Sequence, residues 1–448
     1  MSASVPSRWL RIGVLVGAAT LALAACSGSP TPGEPSSSGT TGAETTPSEA
    51  TGQPTEITFS YLWSGVEAES LEKIIAEFNA SQDAIVVKGV SNPDTTAQLT
   101  AMSSSEGPFD ISDHFGASVG AYASKGILAP LDEFIEADGY DLSDFIPSVL
   151  DQMSYDGHYY SMPIAVHTQM LMYNNTLLAE AGLSGPPETT EEWADYIAEL
   201  TKVDTDGRIT QLGYGNVEID TDFTTLGFVF GGNWYDEAGN PTPDDPGNVD
   251  GLQFYVDNVP AKYGASAVTT FQSGFGELAS AQNPFYTGQL ATIIEGAWEI
   301  NLINQYAPDL DYGVAPLPYP SDHPELAGTT SVSSSTLFIP ANSQHKQEAW
   351  EFMKYLLAND AMGEFTHATS NLPARMSLAG DPIYEDLGDA FGVWLDSLSS
   401  PNVRAMASAP AAAQYGEDRA LAFEAIANQT TTPSDGLANL AETVKQYG

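Results

Sequence analysis

The order of strand and helix signals predicts an α/β chain of two units, each a sheet flanked by helices, with the chain crossing back between them. Two observations carry this reading. A strand-helix-strand-helix-strand series runs from Ile57 to His114, and a second alternation continues downstream through Ala291-Thr292-Ile293-Ile294. In the first series Ile57, Phe59 and Tyr61 alternate with Thr58, Ser60 and Leu62, the period of a strand ending near Trp63. After the turn Ser64-Gly65, Leu71, Ile74, Ile75 and Phe78 share one face of a helix from about Glu67 to Ala80. A strand over Ala84 to Val90 follows, then a helix through Leu99 and Met102, then a strand around Phe109 to His114. Such alternation predicts a parallel sheet with helices on its faces.

Further along, Tyr155 to Tyr160 reads as a turn entering one strand, Ser161 to Asn174. Thr189 as N-cap and Glu192 three residues on form a capping box, and Trp193, Ile197 and Leu200 give that helix its apolar stripe. Leu337 to Pro340 is a short strand, and Ser343 is placed to cap the helix carrying Trp350, Met353, Leu356 and Leu357. Asp204-x-Asp206-Gly207 begins like a calcium loop but lacks the later ligands, so a type I turn is the better reading.

Composition excludes some functions. Fourteen basic residues face 59 acidic ones, a formal net charge of −45. Such a field repels nucleic acid and anionic headgroups, which rules out a nucleic-acid partner, and the scarcity of basic residues argues against a strongly anionic ligand. At the start, Arg8 and Arg11 precede an apolar stretch, Ile12 to Ala25, that closes on Leu23-Ala24-Ala25-Cys26. This is the layout of a secretory signal, and it is shorter than the ~20 residues a spanning helix needs. Cys26 is the only cysteine, so no disulfide is available. Leu-Ala-Ala-Cys resembles the lipobox of bacterial lipoproteins, which implies removal of residues 1–25 and lipidation of Cys26. Ser27 to Thr55 contains only Ser, Gly, Pro, Thr, Glu, Gln and Ala, so 26–55 is expected to be a lipid-anchored flexible linker and 56–448 the folded part.

Several segments in this order carry a wider likeness: ITFSYLWSG with LEKIIAEFNAS, KGILAPLDEFI, DGHYYSMPIAVHTQMLMYNN, FYTGQLATIIEGAWEI, DYGVAPLP, SSSTLFIPANSQHKQEAWEFMKYLLA and NLPAR. Over nearly the whole mature chain the sequence resembles the extracellular solute-binding lipoproteins of ABC importers, in their carbohydrate-binding (family 1) group. The resemblance implies a two-lobed periplasmic-binding-protein-like fold, each lobe a sheet flanked by helices, joined by crossing hinge strands. The first lobe is expected over about 56–163 plus about 310–365, the second over about 170–305 plus about 372–448. It implies a monomer on the extracytoplasmic face of the cell membrane that binds a carbohydrate and delivers it to permease subunits, with no cofactor, no metal and no catalysis.

Sugar recognition needs flat aromatic faces and planar hydrogen-bonding groups, and in α/β sheets ligands sit beyond the carboxyl ends of strands. Trp63 and Ser64 stand at one such end, and Asp113 and His114 at another. His167 lies inside Ala165-Val166-His167-Thr168, Tyr173 closes the same strand, and Trp234 lies in the glycine-rich loop Gly231 to Tyr235. Each reads equally as a ligand contact or as an interior side chain. Trp193 and Trp350, on periodic stripes, read as core. The resemblance adds Trp298, as the stacking aromatic after the strand and glycine of Ile293 to Gly296, and Arg375, within the motif Leu372 to Arg375. Glu295 is a candidate hydroxyl acceptor or a solvated carboxylate. Where the family has a glycine pair this chain reads Ser333-Ser334-Ser335-Thr336, so hydroxyls stand where a bare backbone is expected.

Two alternatives stay open. The acidic charge and the tyrosines suit a cationic solute such as a polyamine. A surface-anchored glycoside hydrolase would need a pair of carboxylates at fixed separation. No Gly-x-Ser-x-Gly, His-Glu-x-x-His or phosphate-cradling glycine motif is present.

Overall fold

The structure is a computed structural model that describes residues 53–236 and 238–447. The segment read as a secretory signal, Cys26 and nearly all of the segment read as a linker lie outside the described residues.

Burial fixes the first sheet. Ile57, Phe59 and Tyr61 on the strand Thr55–Tyr61 are at most 1% exposed, and each such side chain contributes roughly 1.5–3 kcal/mol. The helix Gly65–Ser81 buries Leu71, Ile74, Ile75 and Phe78. Phe352, from the helix Lys346–Leu356, sits edge-on to Phe59 at 5.8 Å and to Phe78 at 5.0 Å, so strand and helices share one core. Thr55–Tyr61 pairs in parallel with Ile85–Ser91 on one side and Ile111–Phe115 on the other, as the alternation predicts. Beyond Ile111–Phe115 the sheet turns antiparallel. Thr330–Phe338 pairs with Ile111–Phe115 and with Ser161–Thr168, Leu372–Pro373 closes that edge, and Val403–Ala405 runs parallel beside the start of Thr330–Phe338.

The second sheet has the order Tyr312–Ala315, Met170–Asn174, Leu290–Glu295, Ile209–Tyr214, Lys202–Val203. Leu290–Glu295 is parallel to Ile209–Tyr214 and antiparallel to Met170–Asn174. Trp193, Ile197 and Leu200 of the helix Thr190–Leu200 are fully buried in this lobe, and the Trp193 Nε1 donates to Thr292 Oγ1 at 3.2 Å.

Gln169 breaks the single strand expected from Ser161 to Asn174. Ser161–Thr168 belongs to the first sheet and Met170–Asn174 to the second. Nearly every residue on both sides is buried, so no alternation marked the break. The chain returns between Ala315 and Thr330 and crosses again on either side of Val403–Ala405. Tyr312–Ala315 therefore sits in the second sheet, inside the span of about 310–365 assigned to the first lobe. Val403–Ala405 pairs into the first sheet, inside the span of about 372–448 assigned to the second. The short strand expected at Leu337 is the end of Thr330–Phe338, whose serines hid the rest.

Helix starts follow local chemistry with two differences. Thr189 Oγ1 accepts from Glu192 N at 3.3 Å, while Glu192 Oε2 reaches past the cap to Glu188 N at 2.9 Å. Ser343 does not cap the following helix, which begins at Lys346. Its hydroxyl donates to the Asp110 carboxylate at 2.8 Å and accepts from His345 N at 3.1 Å, a buried bond that takes precedence. Among the described residues no helix is long and apolar enough to cross a membrane.

Candidate functional site

A cavity of about 660 Å³ opens between the two sheets. The first lobe lines it with Trp63, Glu67, Phe115, His167 and Asn371, and the second with Glu218, Asp220, Thr224, Trp298 and Arg419. Gln169, Ser331 and Met406 come from the crossing segments. The volume is in the range that takes small ligands.

The aromatic walls follow from chain geometry. Trp63 lies two residues past the end of Thr55–Tyr61, half-buried, and packs edge-on against Phe365 at 5.1 Å. Phe115 closes the neighbouring strand and is 56% exposed, with the His114 ring edge-on to it at 5.9 Å. Trp298 follows Leu290–Glu295 in the second lobe. A Cβ at Gly296 would overlap its indole, so only glycine there lets the ring fold back over the chain. His167 meets Trp298 across the lobes, ring centres 5.6 Å apart at 71°.

The polar groups fall into two kinds. Some are fully engaged. The Arg419 guanidinium grips Asp220 with two bonds, Nε to Oδ1 at 2.8 Å and a terminal nitrogen to Oδ2 at 2.7 Å, and its carbon lies 5.4 Å from the Tyr415 ring centre. His167 Nε2 is 3.0 Å from Ser335 Oγ, and burial lowers its pKa to about 4, so the ring is neutral near pH 7. Others are free. Burial alone raises Glu67 to about 7. Gln169 Oε1 and Thr224 Oγ1 are buried with no hydrogen-bond partner.

Of the ten ligand candidates read from the sequence, Trp63, His167 and Trp298 line this cavity. The other seven lie elsewhere. Ser64 is exposed at the start of Gly65–Ser81, and its side chain caps nothing. Asp113 is 3% exposed, and its carboxylate accepts from Leu62 N at 2.7 Å, tying two strand ends together. Burial lifts its pKa to about 8 against that bond. His114 turns back on its own chain, where Nδ1 accepts from Phe115 N at 2.8 Å and the ring packs edge-on to Tyr122. Tyr173 lies across Gly313 of the adjacent strand, where a Cβ would strike the ring. Trp234 lines a neighbouring cavity rather than this one; it is 1% exposed and donates from Nε1 to Thr224 O at 2.9 Å. Glu295 is buried, held well above the usual carboxylate range by desolvation and then by the charges of Glu299 and Glu218. Arg375 clamps the first lobe, donating to Leu357 O at 2.7 Å, Tyr140 Oη at 2.7 Å and Asp144 Oδ2 at 3.3 Å.

Sequence reasoning missed Glu67, Phe115, Gln169, Glu218, Asp220, Thr224 and Arg419. Phe115 directly follows the strand end already singled out and could have been found there. Arg419, in the helix Ala412–Ala427, has no local signal; its scarcity in so acidic a chain was the only hint.

A second cavity of about 620 Å³ shares Gln152 and Met406 with the first. Gln152 separates the two by donating to Met406 O at 2.7 Å while Ser334 Oγ donates to its oxygen at 3.0 Å.

Two sheets joined by repeated crossings, with a cavity between them walled by both, define a two-lobed binding fold. Residues 64–363 match the bacterial extracellular solute-binding protein family, and the chain belongs to that family. It is similar to the maltotriose-binding protein of Pyrococcus abyssi, 24% identical over 269 residues, or 59% of this chain and 54% of that protein. The chain thus spans about half the length of that curated relative. It is 26% identical to the galactooligosaccharide-binding protein of Bacillus subtilis over 346 residues, 74% of this chain and 75% of that one. Among solved structures it is similar to CpMnBP1 with mannobiose bound, with a TM-score of 0.75 and 25% identity over 87% of this chain and 99% of the other.

Proposed function

We propose that this protein captures a neutral mono- or oligosaccharide between its lobes and delivers it to the permease of an ABC importer, without chemistry. The observation that carries the reading is the pairing of aromatic faces from opposite lobes, Trp63 and Phe115 against Trp298, around a cavity that also holds unpartnered hydrogen-bonding groups. Pyranose C–H faces suit the rings, and hydroxyls suit the polar groups. The relatives named for maltotriose and galactooligosaccharides, and the mannobiose-bound neighbour, support the same class of ligand.

The lobes would close by rotating about the crossing segments, and a ligand touching both walls shifts the equilibrium toward the closed form. Contacts already span them, among them the His167–Trp298 ring pair and Thr225 Oγ1 to Ser331 Oγ at 2.6 Å. Cys26, with its lipid, would tether the domain to the outer face of the membrane through the linker.

A cationic solute is the second reading, favoured by the Glu67 and Glu218 carboxylates on facing walls, while the cavity's Arg419 is already paired with Asp220. A thermal-shift screen of the purified protein separates the two, using mannobiose, maltotriose, a galactooligosaccharide and spermidine. Ligand that binds only the folded state raises the melting temperature. The saccharide reading predicts a shift with at least one sugar, recovered unchanged afterwards by chromatography. A shift with spermidine alone would replace it, and consumption of the sugar would make the protein an enzyme.

A further inference from the structure

We infer that the Gln169 carboxamide, at the joint between the lobes, sets ligand specificity by binding an adjacent pair of sugar hydroxyls, with the Thr224 hydroxyl reading the ligand from the second-lobe wall of the same cavity. This rests on the saccharide reading above and adds which groups read the ligand.

Gln169 is the residue at which the chain passes from one sheet to the other. Its backbone is pinned to the second crossing: N–H donates to Thr330 Oγ1 at 3.0 Å and to Ser331 O at 3.3 Å, and its carbonyl accepts from Thr330 Oγ1 at 2.6 Å. Its main chain is thus held at both polar groups, which fixes where the side chain starts on the cavity wall. It is 4% exposed, yet its Oε1 is buried with no partner. Buried carboxamides are almost always satisfied, so an idle one needs a reason. Thr224 stands in the same position. It is 5% exposed, its carbonyl is used by Trp234, and its hydroxyl has no partner.

Both residues line the same cavity as Ser331. That residue's carbonyl takes the Gln169 N–H, and its hydroxyl meets Thr225, the residue after Thr224. Two unpartnered polar atoms from different elements, Gln169 Oε1 and Thr224 Oγ1, line one cavity and point to one missing partner. Its chemistry follows from the inventory. A carboxamide offers a donor and an acceptor side by side, and rotation about its last torsion exchanges them. Vicinal hydroxyls of a sugar ring supply the complement to both at once. A carboxylate could only accept and an ammonium only donate, and either would leave half the amide idle.

The test is Gln169→Met, close in shape and apolar, with Thr224→Val as the second variant. Each is titrated with whichever of mannobiose, maltotriose or the galactooligosaccharide binds the wild type, and each is melted without ligand. The expected result for Gln169→Met is an unliganded melting temperature equal to or above wild type, because an unpaired buried amide is gone, with affinity reduced about tenfold or more. Thr224→Val should show the same signs with a smaller loss. A glutamine that merely supports the joint would give the reverse, a lower melting temperature with affinity unchanged, and that result overturns the inference. If the wild type binds a saccharide and both variants bind it equally well, the inference falls and the saccharide reading stands. If the wild type binds none of the three, both fall together.

Discussion

The second lobe presents two aromatic corners, and they do opposite work. At Gly231 to Tyr235 the Trp234 indole is sealed in the core, its Nε1 spent on Thr224 O and its ring edge-on to Phe423 at 5.4 Å. At Gly296 to Trp298 the indole lies on the cavity wall, half-buried and facing His167 of the other lobe. Both tryptophans sit beside glycines, so the glycine alone does not tell the two roles apart. What differs is where the ring's neighbours come from: Trp234 is surrounded by its own lobe, whereas Trp298 meets the other. Trp234→Ala should therefore lower the unfolding free energy by about 3–5 kcal/mol. Trp298→Ala should instead weaken saccharide binding by about 1–3 kcal/mol, with stability nearly unchanged. Denaturant unfolding and calorimetric titration on the two variants check this. A Trp298→Ala protein that is less stable but binds normally would break the contrast.

A pair of arginines repeats the comparison at smaller magnitude. Arg375 is 13% exposed at its side chain and ties Leu357, Tyr140 and Asp144 within the first lobe; Arg419 is 8% exposed and holds Asp220 on the cavity wall. Arg375→Met strands Leu357 O and Tyr140 Oη, and should cost about 3 kcal/mol of stability while leaving saccharide affinity within about twofold. Arg419→Met leaves Asp220 able to take up water, since that side chain is 44% exposed. Its stability cost should be smaller, about 2 kcal/mol, but affinity should fall as well, because a freed carboxylate changes the wall. Equal behaviour of the two variants in a binding titration would remove Arg419 from the site.

These pairs also mark how far the sequence reaches. The first three strands and their helices were legible because period-two and helical stripes coincide with one-sided burial, as at Ile57 to Tyr61 and Leu71 to Phe78. The crossing at Gln169 was not, because a strand buried on both faces has no alternation to interrupt. Site residues followed the same division. Trp63 and Trp298 stand at strand ends, where the topology itself points to the cleft. Arg375 carries a recognisable motif yet serves the lobe's packing, and Arg419 lies on a helix with no motif and reaches the cleft only through tertiary packing with Asp220, 199 residues away in sequence.

The smallest of these effects is set by the same contrast between sealed and open carboxyls. Asp113, raised to about 8, and Glu299, raised to about 7, are both sealed, while Glu67, also raised to about 7, is only partly so. A carboxyl whose folded pKa lies above its unfolded value keeps its proton in the native state where the unfolded chain has lost it. Stability is then greater at lower pH and declines as pH rises through the folded pKa. His167 and His114, both lowered to about 4, act in the other direction, mainly below their unfolded value of 6.5, where the unfolded chain gains protons that the native rings refuse. Between pH 6.5 and 8 the carboxyls dominate, because the unfolded histidines are already at least half deprotonated there. The melting temperature should therefore be higher at pH 6.5 than at pH 8, by about 2–5 °C. Asp113→Asn, which mimics the protonated form and can still accept from Leu62 N, should flatten that slope. A melting temperature that rises from pH 6.5 to 8, or a slope that Asp113→Asn leaves untouched, would mean that Asp113 is ionised in the folded protein and that its bond to Leu62 outweighs its burial.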